Sequence, residues 1–364
     1  MMKKVIYVLS AVSAALLMSS CTTEEALEVQ KFPSPGNELS SEEYYRDLRE
    51  WKQSPHARTY VYYAAWAPLE GASSMYKEPI NMSERFIGLP DSLDIVNLWM
   101  GVPSADPADE YEYSPVAAAD MKYCQTVKGT RFVMHADASH YNHTFVLDGK
   151  EWTTQRGNVE SIEAYADYNA QQVLHFGLDG IDYDFEGWSS TDMTTVIKRS
   201  GKYFGPQAET EEGKKMLNII DYFNSAPSSA VEPYVSYIVR QAYSQQLGGC
   251  NYNSLNNLSW LPKEKFILCE QWNQGNNRFN GGYVPCRGYS GETLMTTDDS
   301  GASVQMASLE AFARFCADGN AGGFGAYYID QDYFFDKGTF YNLRRCINIA
   351  DRLNNKTNES DENE

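Results

Sequence analysis

Eight short apolar runs recur between residues 59 and 330, each bounded by polar or glycine-containing stretches. They are TYVYYAAWA (59–67), LDIVNLWMG (93–101), TRFVMHAD (130–137), LDGIDYDFEGW (178–188), KMLNIID (215–221), EPYVSYIVRQAY (232–243), KFILCEQW (265–272) and GGFGAYYID (322–330). Their length and their content of Val, Ile, Tyr and Phe predict strands. Helical patterns fall around and between them. SSEEYYRDLREWKQS (40–54) opens on serines able to cap, with acidic residues in the first turn. NVESIEAYADYNAQQVLHFG (158–177) brings Ile162, Ala166, Asn169 and Val173 near one face and stops at Gly177. SVQMASLEAFARFCADG (303–319) predicts a helix before the last strand, and TFYNLRRCINIADRL (339–353) one after it.

Eight strands alternating with helices predict a single (β/α)8 barrel over residues 41–352, with a doubly wound open sheet as the alternative. In such a barrel the active site lies at the C-terminal ends of the strands. Here those ends carry Trp66, Trp99, Asp137, Glu186, Asp221, Tyr243, Trp272 and Asp330. Polar and aromatic groups therefore gather where a barrel would use them.

The termini read differently. MMKK and the apolar run VIYVLSAVSAALLM are a basic start and a stretch too short to cross a bilayer comfortably. With LLMSSC following, the segment resembles a bacterial lipoprotein signal: residues 1–20 are removed and Cys21 becomes the lipidated first residue. An ordinary secretory signal is the alternative, and either one exports the protein. Residues 21–40 are polar, with Pro and Gly, and predict a flexible tether; LNNKTNESDENE (353–364) predicts a disordered acidic tail. Glu24 and Glu25, soon after Cys21, resemble surface-export signals of some bacterial lipoproteins, so the expected location is the outer membrane, facing the exterior.

Charge narrows the partners. With 30 basic against 49 acidic residues the net charge is −19, which argues against nucleic acid and anionic membrane surfaces. Membrane association is thus expected only through the lipid anchor. No P-loop or dinucleotide fingerprint occurs, and the five His show no metal-ligand spacing, so neither a cofactor nor a metal is expected. Apart from Cys21 the cysteines are widely spaced, without CxxC, and read mostly as buried thiols, although export permits disulfides. The 26 Tyr, 16 Phe and 7 Trp suit a large core, and equally a surface that stacks on sugar rings.

The fourth run raises the chemical question. On a strand, Asp182, Asp184 and Glu186 of GLDGIDYDFEGW share one face, and Ile181, Tyr183 and Phe185 the other. Three carboxylates on a buried face repel one another and are costly to desolvate, so something must use them. Residues two apart on a strand have Cα atoms roughly 6.5 Å apart. Carboxyls that close raise each other's pKa and keep one protonated near neutral pH, as general-acid cleavage of a glycosidic bond requires. An inverting enzyme needs a wider gap, so the spacing suits retention. A cation loop would also gather Asp179, Asp182 and Asp184, but the glycine spacing of an EF-hand is absent.

DGIDYDFE matches the DGxDxDxE signature of family 18 glycoside hydrolases at every defined position, and the chain resembles that family. The resemblance implies a barrel with this motif on its fourth strand, in agreement with the strand count. It implies that Glu186 is the general acid. Asp184 would orient the substrate's 2-acetamido group, which itself attacks the anomeric carbon, and Asp182 would tune Asp184 from behind. Asp179 reads as structural. The sixth run ends in Gln241 and Tyr243, a Gln-x-Tyr pattern similar to the endo-β-N-acetylglucosaminidases of the family, whereas its chitinases usually show Met-x-Tyr-Asp. That similarity implies a Tyr243 hydroxyl bonded to the acetamido carbonyl. Trp66, Trp188, Trp272 and Tyr328 are candidate sugar-stacking residues, each with a plain core role as its alternative. The expected activity is a retaining endo-β-N-acetylglucosaminidase acting on the GlcNAc–GlcNAc core of N-linked glycans. A chitinase and a non-catalytic glycan-binding lipoprotein are the alternatives.

Overall fold

Residue parity along each strand decides what enters the barrel and what packs outside it. The computed structural model describes residues 41–63, 85–99, 101–256, 258–334 and 337–361. The expected signal, Cys21, the tether and Trp66 lie outside the described residues. Eight strands close into one parallel barrel: β1 (Arg58–Tyr62), β2 (Ile95–Leu98), β3 (Arg131–Asp137), β4 (Gly180–Phe185), β5 (Leu217–Tyr222), β6 (Tyr237–Gln241), β7 (Phe266–Gln271) and β8 (Gly323–Tyr327). Each predicted run supplies one of them, and spatial order follows chain order until β8 pairs with β1. The open-sheet alternative is thereby excluded.

Six helices of at least nine residues stand among the described residues: α1 (Glu42–Gln53), α2 (Pro115–Tyr123), α3 (Val159–His175), α4 (Ser190–Ser200), α5 (Ser308–Ala317) and α6 (Tyr341–Asp361). Ser41 and Asn158 cap α1 and α3 by accepting from Tyr44 N at 3.2 Å and Ser161 N at 3.1 Å. The ring of helices is uneven. β5 and β6 are joined by a 3-10 stretch, Ser229–Tyr234, that contains Pro233. This is why the run 232–243 gives a strand only from Tyr237. The helix expected over 303–319 begins at Ser308, because Ser303–Gln305 pairs instead with Met295–Thr297 in a hairpin. At the other end α6 continues through Asp361, so residues 353–361 are helical where a disordered tail was expected; no Pro or Gly stands there to stop the helix. A disulfide joins Cys250, in the loop after β6, to Cys286, in the loop after β7, while Cys124, Cys269, Cys316 and Cys346 are buried thiols.

Two apolar layers result. Outward residues such as Val96, Phe132, Tyr183, Ile220 and Phe324 pack under the helices. Inward residues, among them Tyr60, Tyr62, Val133, Ile219 and Ile267, fill the barrel. The largest inward rings, Tyr60 and Tyr62, stand on β1 beside β8, whose inward positions opposite Arg58 and Tyr60 are Gly323 and Gly325, with Tyr327 following toward the mouth. With no side chain at Gly323 and Gly325, the rings of β1 have room to cross the barrel at that level. Gly325 is needed for a second reason: a Cβ there would lie 1.5 Å from the Tyr60 carbonyl oxygen. Gly325→Ala is therefore expected to force β1 from β8 and to cost about 3 kcal/mol or more, measured as a fall in the denaturant midpoint of unfolding.

Candidate active site

β4 places its carboxyls at three depths. Asp182 is fully buried, the Asp184 side chain is 19% exposed, and Glu186, just beyond the strand, is exposed. Buried carboxyls must find donors, and these come from across the barrel. The Tyr60 hydroxyl and Asn97 Nδ2 (2.8 Å) donate to Asp182 Oδ2. The Tyr62 hydroxyl and Gln241 Nε2 (2.9 Å) donate to Asp221 Oδ2. Gln241 Nε2 also reaches Asp184 Oδ1 at 3.2 Å, so this side chain braces two carboxyls at once. Asp184 itself sits in register between Asp137 of β3 and Asp221 of β5.

The electrostatics follow from this crowding. Burial first, then the charges of Asp221 and Glu186, push Asp184 up to about 9, with the Gln241 donor opposing them. Burial raises Asp182 to about 7 against the Tyr60 hydrogen bond, and also raises Asp221 well above the usual carboxylate range, with Asp182 adding to the effect. Spacing alone left open which carboxyl retains a proton; here burial, ahead of the neighbouring charges, holds it on Asp184. Asp137, at the rim, goes the other way: despite partial burial, His143 and the Ser139 N–H hold it well below the usual carboxylate range. Burial holds the neighbouring His135 imidazole down to about 4, and hence neutral.

Glu186 rests on a tightly packed turn. The N–H groups of Gly187 and Trp188 both donate to Ala138 O, at 3.3 and 3.0 Å, and a Cβ on Gly187 would meet Ser139 O at 1.9 Å. Trp188 is 4% exposed, stacks on Tyr141 at 5.2 Å and donates from Nε1 to His140 O. It is a buttress under the Glu186 turn and not the sugar platform expected. Trp272 is likewise no platform: it is fully buried, because its parity on β7 turns it outward under the helices. Tyr328 is half-buried at the mouth, edge-on to Trp99 at 5.0 Å and to Tyr327 at 4.4 Å. Tyr243 stacks between Phe223 (5.6 Å) and Tyr327 (5.8 Å), and among the described residues its hydroxyl has no hydrogen-bond partner. Gln241, expected to contact substrate, instead spends its amide on the two carboxyls. Asp179 is structural as expected, accepting from Phe132 N at 2.9 Å and Gln125 Nε2 at 2.8 Å.

The structure thus gathers Asp182, Asp184, Glu186, Gln241, Tyr243 and Tyr328 at one end of the barrel. It adds Tyr60, Tyr62, Asn97, His135 and Tyr327, which the sequence did not assign to the site, together with Trp99 and Asp221, which the sequence placed at strand ends without a role. Their signal was present as inward parity near the strand ends, but parity is read only once one inward residue per strand is known.

A closed parallel barrel with a graded row of carboxyls at its C-terminal mouth defines a glycoside hydrolase scaffold. Residues 44–287 match the family model of the endo-beta-N-acetylglucosaminidase EndoS TIM-barrel domain, and the chain belongs to that family. It is 23% identical over 202 residues to an endo-beta-N-acetylglucosaminidase of Bifidobacterium longum subsp. infantis, a match covering 52% of this chain and 36% of that protein. The chain therefore matches little more than a third of that relative's length. Its fold is similar to that of BT1044 (TM-score 0.62, 18% identity, 86% of this chain and 93% of that one). It is also similar to the endo-beta-N-acetylglucosaminidase of Cordyceps militaris (TM-score 0.54, 19% identity, 84% and 95%).

The raised Asp184 carboxyl has a consequence for stability. The unfolded chain releases this proton near pH 4, whereas the folded protein keeps it to about 9, so this group costs stability progressively as pH rises between those values. Asp184→Asn removes the cost. Its melting temperature should equal the wild type's near pH 4 and exceed it by about 2–4 °C at pH 8, as read by calorimetry across that range.

Proposed function

We propose that the protein is a retaining endo-β-N-acetylglucosaminidase that cuts the GlcNAc–GlcNAc core of N-linked glycans. The arrangement that carries this reading is a largely buried Asp184 one strand step behind an exposed Glu186, with the Tyr243 hydroxyl, unpartnered among the described residues, at the same mouth. Membership of the EndoS barrel family and the name of the Bifidobacterium relative support the same substrate linkage.

In this scheme Glu186 gives its proton to the glycosidic oxygen as the bond to the anomeric carbon breaks. The acetamido carbonyl oxygen of the same sugar attacks that carbon from the opposite face and forms an oxazolinium ring. Asp184 and Tyr243 hold the acetamido group for this attack. Glu186, now ionised, takes a proton from water, which opens the ring and restores the original anomeric configuration. A neutral Asp184 lowers the repulsion that a third carboxylate would add as Glu186 ionises. Tyr327, Tyr328 and Trp99 offer flat faces at the mouth, consistent with an apolar sugar face lying against them.

Glu186→Gln should keep the fold, by circular dichroism, and lower turnover on N-glycoproteins by about 10²–10⁴-fold. Mass spectrometry should find released glycans ending in one GlcNAc, with the other left on Asn. Cleavage of linear GlcNAc oligomers alone would make the protein a chitinase, and tight binding without cleavage a lectin. We also infer from Cys21 and the residues before it that the protein is a lipid-anchored surface protein. Cys21→Ser should then move it from the membrane to the soluble fraction of its host; retention in the membrane would refute the anchor.

A further inference from the structure

His135 stands on the inward face of β3, in register with Asp182, and takes no part in the chemistry above. Its Nδ1 lies 3.3 Å from Asn97 Nδ2, an amide nitrogen that can only donate. That amide gives its two hydrogens to the Tyr60 hydroxyl and to Asp182 Oδ2, each at 2.8 Å, so an Nδ1–H would face a nitrogen unable to accept it, and the single proton of the neutral ring is assigned to Nε2. Nε2 faces Asp184 Oδ2 at 3.7 Å, a small rotation short of a hydrogen bond. The groups around the ring are Asp182 and Asp184 of β4, Asp137 of its own strand, and Tyr62 of β1, whose ring centroid is 6.3 Å away. Four-fifths buried, the imidazole stays neutral at the pH where the site would work.

We propose that His135 is a positioning residue for Asp184: its Nε2–H turns to Asp184 Oδ2 while Gln241 Nε2 holds Oδ1, so that the carboxyl proton points into the mouth beside Glu186. The reason lies in donor and acceptor counts. Gln241 Nε2 and the Nε2–H of this His135 tautomer are both donors, so neither takes the proton Asp184 retains. An imidazolium at the same place would draw that proton off and leave a carboxylate. A neutral His held in one tautomer by Asn97 gives orientation without that loss. The proposal rests on the glycosidase reading for its consequence, but its geometry can be judged separately.

The first test is nitrogen NMR of the protein with its five His labelled. His135 should hold the neutral Nε2–H form from pH 5 to 8, and Asp184→Asn should shift its Nε2 resonance more than its Nδ1. A protonated ring or the Nδ1–H tautomer would overturn the proposal whatever the activity. The second test is kinetic, with an N-glycoprotein as substrate. His135→Ala should lower kcat about 10–100-fold with KM changed less than about twofold. His135→Gln, which keeps a neutral donor, should recover most of that loss. Equal losses in both variants, accompanied by equal falls in melting temperature, would assign His135 to packing and refute the role. If the wild type cleaves no GlcNAc-linked glycan, the glycosidase reading fails, and the tautomer measurement still decides the hydrogen-bond geometry.

Discussion

The site depends on keeping carboxyls inside a barrel. Asp182 and Asp221 are fully buried on adjacent strands, and Asp184 is mostly so. Ionised and unpaired, each would cost several kcal/mol to bury. The fold meets this with donors sent across the barrel from β1, where the Tyr60 and Tyr62 hydroxyls reach Asp182 and Asp221. The remainder is met by protons, which Asp184 and its neighbours keep well above the usual carboxylate range. Remove the glycines of β8 and the tyrosines lose the room to cross. The chemistry at the mouth is therefore tied to packing on the far side of the barrel.

Depth along a single strand then divides the labour. Asp182 is anchored and inaccessible, Asp184 is oriented yet reachable, and Glu186 is open to solvent. The environment changes from apolar interior to water over three alternate residues, so three similar carboxyls meet three different conditions. Neighbouring loops preserve that gradient. The β3 loop grips the turn after Glu186 through Ala138, Ser139 and Trp188, and the Cys250–Cys286 disulfide ties the loop after β6, which follows Tyr243, to the loop after β7.

Much of the fold was legible because strands and their order are local signals. Each apolar run became one strand, and DGIDYDFE fell on the fourth. Failures came where local pattern is ambiguous about direction. Trp188 and Trp272 sit at strand ends like Tyr328 does, yet Trp272 faces outward by parity and Trp188 is turned inward to the protein by the tight Gly187 turn. Composition also misjudged the end of α6, since polar residues without Pro or Gly remain compatible with helix.

By itself the sequence determined the barrel, the row of carboxyls and the identity of the groups at the C-terminal strand ends, because strand period and strand order are written residue by residue. Only the tertiary structure decided which carboxyl keeps a proton, which aromatics face the mouth, and which groups surround His135. Those outcomes depend on partners far apart in the chain: Tyr60 and Tyr62 for the buried carboxyls, Gln241 for Asp184, and Asn97 for the imidazole. Desolvation and hydrogen bonding are set by what surrounds a group in space, and no local stretch of sequence specifies that.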